Sequence, residues 1–110
     1  MREASVLIEV LAFFAAQRNY GYIDRLGNAL DEVTAYEALR DALRDYYSIC
    51  VDRKQECCPD INPEDLEKAV KYFISYISGK GGDIIVRETR KIALEALARR
   101  SKTSKCESGG

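Results

Sequence analysis

Apolar residues recur along this chain at helical rather than strand spacing. Between Glu3 and Arg18 they cover more than one face: Val6, Leu7, Val10, Leu11, Phe13 and Phe14, with Ala12, Ala15 and Ala16 filling the gaps. A helix this apolar is either central to a bundle or partly buried against another protein. Asn19 to Tyr22 then carries turn chemistry, with Gly21 able to take φ > 0. Residues 22–30 predict a short helix, with Ile23, Leu26 and Leu30 at i, i+3 and i+7. Gly27 inside it lowers helix propensity by about 1 kcal/mol relative to Ala, so it marks close backbone packing or a helix end, and close packing is the favoured reading.

The third helix is predicted over residues 34–51. Thr34 and Glu37 form a capping-box pattern, and Tyr36, Leu39, Leu43, Tyr46, Tyr47 and Cys50 follow helical spacing. Its outer face carries Glu37, Arg40, Asp41, Arg44 and Asp45, and is read as solvated, with Glu37–Arg40 and Asp41–Arg44 as i,i+3 pairs. After a polar loop over 52–62, Asn62 and Pro63 open a fourth helix. There Leu66, Ala69, Val70, Phe73, Ile74 and Ile77 make a core stripe, and Gly79 stands as the C′ residue. Asp83 is expected to N-cap a last helix running to about Arg100. In that helix Ile85, Val86, Thr89, Ile92, Ala93, Ala96 and Leu97 share one arc. Leu94 falls on the polar side and is a candidate partner contact. No strand alternation survives, since Ile84-Ile85-Val86 is too short. The expected fold is all-α: a small bundle of four main helices plus one short helix, a single domain over 1–101 with a flexible tail over 102–110.

Composition narrows the function. The chain has 110 residues and no His, which removes imidazole bases, His metal ligands and Ser-His-Asp or Cys-His catalysis. No carboxylate cluster has the spacing of a metal or acid–base site, so no enzyme, no cofactor, no metal and no small-molecule substrate are expected. The longest uninterrupted apolar run, Val10 to Ala16, is far short of the about 20 residues a membrane span needs. Glu3 and Glu9 spoil the imitation of a signal peptide, and the chain is read as cytoplasmic. The four cysteines, Cys50, Cys57, Cys58 and Cys106, form no C-x-x-C pair. A Cys50–Cys57 disulfide would close the loop over 53–60; the favoured reading is small apolar free thiols. A redox role for Cys57-Cys58 would have only Arg53 and Lys54 nearby to support it.

Charge changes the picture most. Residues 1–79 hold 9 basic and 14 acidic groups, whereas residues 80–110 hold 8 basic and 4 acidic. The formal net charge of −1 therefore conceals an acidic body and a basic C-terminal helix. Lys80, Arg87, Arg90, Lys91, Arg99, Arg100 and Lys102 are the candidate phosphate contacts, to be read against the alternative of a solvated helix end. The turn from Ser78 to Asp83 leads into the helix N-terminus but lacks P-loop spacing, and Asp83 would repel a phosphate. Glu37, Asp41 and Asp45 argue against a recognition helix within residues 22–47. An alternative reading is a helical protein–protein interaction module, carried by the over-apolar first helix, Leu94, and the tyrosines at 20, 22, 72 and 76. Leu94, Tyr72 and Tyr76 are its candidate interface residues.

One stretch goes beyond patterning. Asn19-Tyr20-Gly21-Tyr22-Ile23-Asp24-Arg25-Leu26-Gly27-Asn28-Ala29-Leu30, followed by Ala38-Leu39-Arg40-Asp41-Ala42-Leu43-Arg44-Asp45-Tyr46-Tyr47, resembles the small subunit of the archaeal type I-A CRISPR interference complex, Cascade. The resemblance covers residues 10–50 and extends more loosely from Gly81 to Arg90. It implies a helical, non-enzymatic subunit that stacks in several copies. Such a subunit braces the guide RNA–target DNA duplex and the displaced strand, alongside the other effector subunits. Sequence readout would then belong to guide pairing, not to this chain.

Overall fold

The computed structural model describes residues 2–79 and 81–99, and these form five helices without a strand. They are α1 (Arg2–Ala16), α2 (Gly21–Gly27), α3 (Glu32–Tyr46), α4 (Pro63–Gly79) and α5 (Gly82–Arg99), with a π-helical turn over Tyr47–Asp52 after α3. The expected bundle of four main helices plus one short one is what is seen.

Helix α1 is the central element because it is apolar all round. It packs mainly against α5 and α4, and also touches α2 and α3. Leu7, Val10 and Leu11 lose all solvent contact, and Phe13 and Phe14 nearly all. Phe13 stacks edge-on against Tyr46 of α3, with ring centroids 5.7 Å apart. Phe14 does the same against Tyr22 of α2 at 5.0 Å. The helix closes in a Schellman motif: Asn19 N–H donates to the Phe14 carbonyl at 2.9 Å and Arg18 N–H to that of Ala15 at 3.0 Å. The left-handed residue of that motif is Arg18, with φ 63°, and not Gly21, which opens α2.

Helix α2 is shorter than the spacing predicts. It ends at Gly27, which is exposed and has no packed neighbour near its missing Cβ, so this glycine marks a helix end rather than a close approach. Leu30 consequently lies outside the helix and is 84% exposed, while Ala29 takes the buried place. Helix α3 starts before Thr34. Asp31 is its N-cap, and its Oδ1 accepts from Thr34 N at 2.9 Å and from Thr34 Oγ1 at 3.1 Å. Thr34 sits at N3, where it donates to the cap. The face read as solvated is so at Glu37, Arg40 and Arg44, which are exposed, while α2 docks along its Asp41–Asp45 edge. Tyr22 donates its hydroxyl to Asp45 Oδ2 at 3.0 Å, and Arg25 reaches Asp41 Oδ2 at 3.0 Å. Asp41 is thus held by Arg25 and its neighbour Arg40.

Helix α4 begins as expected, with Asn62 Oδ1 accepting from Glu64 N at 2.8 Å. Its stripe is only partly core: Leu66, Ala69 and Phe73 are buried, Val70 is half-buried and Ile74 is 44% exposed. Gly79 is the last helical residue and has no left-handed backbone. Helix α5 starts at Gly82, with Ile84 and Ile85 N–H both bonding to the Gly81 carbonyl, so Asp83 lies in the first turn instead of capping it. Its predicted arc is internal, from Ile85 to Ala96, and the buried Thr89 hydroxyl is satisfied by the Val86 carbonyl at 2.9 Å.

The cysteines depart from the thiol reading. Cys50 is joined to Cys58, with Cα atoms 5.7 Å apart, and Cys57 is also disulfide-bonded. The bond therefore skips the Cys50–Cys57 pairing. Cys106 and the predicted tail over 102–110 lie outside the described residues.

Candidate nucleic-acid and protein interface

The outward face of α5 carries the predicted cations, and the fold separates them by role. Arg87 is exposed. Lys91 is exposed and stands 3.8 Å from Glu88, one helical turn back, a loose surface pair. Arg90 is engaged differently: its guanidinium donates to the Ala29 carbonyl at 3.2 Å, tying α5 to the link between α2 and α3. Arg99 is at the far end, 3.4 Å from Ser5 Oγ of α1 and 3.8 Å from Glu95. Arg87 and Lys91 are therefore the cations best placed to meet an anion, while Arg90 and Arg99 also fasten the bundle. Lys80, Arg100 and Lys102 lie outside the described residues.

A shallow groove of about 470 Å³ runs between α5 and the α2–α3 link, bringing Arg87, Arg90, Lys91 and Leu94 together with Leu30, Val86 and Asp83. Leu94 is 67% exposed, which agrees with its expected place on the polar side. Leu30 is the residue that sequence reasoning missed. Its i+7 spacing from Ile23 assigns it to a core face, but the helix stops first and the Arg90–Ala29 bond holds the link with Leu30 outside. Two solvent-facing leucines beside three cations make an amphipathic patch. Phosphates suit the cations, and a partner's apolar side chains suit the leucines. Asp83, which argues against an anion site at the helix N-terminus, lines this same groove.

Tyr72 and Tyr76 are elsewhere. They lie on α4, half-buried, with ring centroids 5.9 Å apart, and neither lines the Leu30–Leu94 groove. A larger groove, about 640 Å³, opens between α3 and α4. Leu39, Leu43, Val70, Phe73 and Ile74 give it apolar walls, and Tyr36, Tyr47, Arg40, Arg44, Lys71, Asp52 and Glu67 border it. Burial, with the charge of Glu67 second, pushes the Tyr47 phenol up. This groove explains the exposure of Ile74: α4 packs on α1, and little of α3 covers its other side. Among the described residues, no group of three or more Cys, Asp or Glu side chains is placed to hold a metal ion. No helix among them is long and apolar enough to cross a membrane.

The family model for CRISPR-associated protein (Cas_Csa5) matches residues 10–99. The chain belongs to the Cas_Csa5 family. The match runs from within α1 to the end of α5, so it takes in nearly all of the helical fold. Membership marks the chain as a small subunit of the type I-A class and bears out the resemblance of the stretch from Asn19 to Tyr47. No curated protein and no solved structure matches the chain. The family points to other components of a CRISPR complex as partners.

Proposed function

We propose that this Cas_Csa5 chain is a non-enzymatic, cytoplasmic subunit of an archaeal Cascade-type complex. It stacks in several copies and braces the guide RNA–target DNA duplex or the displaced strand through the basic face of α5. The observation that carries the reading is the charge split: residues 80–110 hold 8 basic and 4 acidic groups against 9 and 14 in residues 1–79, and within α5 Arg87 and Lys91 face solvent. Phosphate contacts of this kind are sequence-independent and salt-sensitive, which fits a subunit whose specificity comes from guide pairing. The same split favours head-to-tail self-association, because the acidic body of one copy attracts the basic helix of the next.

Co-purification from the native host tests the assignment. The chain should bring guide RNA and the other effector subunits with it, and recovery without RNA or other subunits would contradict it. Leu30 and Leu94 favour a second reading, a module that binds protein alone. Leu94→Asp should then break the complex, while reversing Arg87 and Lys91 leaves it intact.

A further inference from the structure

The connection between α3 and α4 concentrates conformations that are unfavourable on their own. Helix α3 does not end in a cap but passes into the π-helical turn Tyr47–Asp52, closed by Arg53 N–H on the Ser48 carbonyl at 3.3 Å. Such turns are rare and frequently lie at functional sites. Two residues beyond it, Lys54 holds a left-handed backbone with φ 51°, which costs free energy for a residue with a Cβ. Beyond α3, its own continuation, the turn is held by the partly buried Tyr47, Ile49, Cys50 and Val51, which pack against the edge of the core, and by the disulfide. The Cys50–Cys58 bond spans the strained stretch and fastens the turn to the loop beyond. Tyr47, Ser48 and Asp52 of the same turn form one wall of the groove between α3 and α4.

We propose that the Cys50–Cys58 disulfide is a redox-operated lock on the π-helical turn, and through it on that wall of the groove. A dithiol reductant opens it. One thiolate attacks the sulfur of either cysteine, giving a mixed disulfide and releasing the other cysteine as thiolate. The second thiol then closes a cyclic disulfide on the reductant and releases the first cysteine. Two electrons pass to the protein, and the two cysteine sulfurs take up the two protons that the dithiol gives up. With the bond open, Lys54 leaves its left-handed conformation, the turn loses its π register, and Tyr47 and Asp52 shift at the groove.

Hydrogen exchange on the full chain reads the lock. Amides 48–58 should exchange about tenfold faster in Cys50→Ala/Cys58→Ala than in the oxidised protein, while α1 stays protected. Dithiothreitol on the wild type should do the same. Since Cys57 is also disulfide-bonded, a Cys57→Ser control separates its contribution. If the double variant does not fold, the difference between dithiothreitol-treated wild type and that control decides. The dye anilinonaphthalene sulfonate probes the groove: its fluorescence should change several-fold on reduction, and Ile74→Asp should abolish the change. Unchanged exchange over 48–58, free thiols at Cys50 and Cys58 in the oxidised protein, or dye fluorescence indifferent to reduction would each overturn the proposal.

Discussion

Single residues carry strain and protonation that a measurement can read. Arg18 occupies the left-handed position of the Schellman motif at the end of α1, a place glycine fills without a Cβ penalty. Arg18→Gly should therefore stabilise the fold by about 1 kcal/mol, less the extra freedom it gives the unfolded chain. A higher urea midpoint at unchanged m-value is the expected result. Tyr46 offers the opposite test. Burial, with the charge of Glu9 second, pushes its phenol from 10.0 up to about 12. Between those values the unfolded chain gives up a proton that the folded chain keeps, so stability falls as pH rises. Melting temperature should be flat from neutral pH to about 10 and drop towards pH 12, and Tyr46→Phe should remove part of that drop. Asp31 behaves inversely: the hydrogen bond donated by the Thr34 backbone N–H, with that of the Thr34 hydroxyl second, holds the carboxyl below the usual range. Its capping contribution is present above the unfolded pKa and is lost as pH falls through the folded one.

At the scale of elements, stability rests on α1. Leu11 is fully buried where α1 meets its neighbours, and Leu11→Ala should cost about 2–5 kcal/mol in chemical denaturation. In a domain whose whole stability is about 5–15 kcal/mol, that loss is large. The element pattern was readable because apolar side chains recur at 3.6-residue spacing in α1, α4 and α5, and because Asn62-Pro63 announces its own helix start. What spacing does not tell is which partner covers an apolar residue. Leu30 and Ile74 both fall on core-facing periods, yet one lies past the end of α2 and the other faces an open groove. Asp31 went unread as a cap because Thr34 and Glu37 offer an equally good local pattern three residues later. The choice is made by how far α3 extends backwards to meet α2. The Cys50–Cys58 bond was illegible for a similar reason: with adjacent cysteines at 57 and 58, pairing depends on how the loop turns at Lys54. The Leu30–Leu94 groove was half legible. Leu94 stands out on a basic face, but Leu30 joins it through the packing of α2 on α5 and the Arg90–Ala29 bond.

For the whole molecule, the decisive feature is where charge and apolar surface come out. The cations of α5 divide into Arg90 and Arg99, which fasten helices, and Arg87 and Lys91, which face solvent. Reversing the first pair should lower stability as well as binding, so it is the second pair that isolates binding. An assembly role for the two exposed leucines has its own test: Leu30→Asp/Leu94→Asp should leave the melting temperature of the isolated chain unchanged and weaken its capture by other effector subunits. The most direct measurement is a salt titration of binding to an RNA–DNA duplex and to single-stranded DNA, comparing wild type with Arg87→Glu/Lys91→Glu. The account predicts weak binding that falls steeply with salt, and a log–log slope reduced by about 2 in the variant, one for each lost phosphate contact. No binding at low salt, or an identical slope in the two proteins, would contradict it.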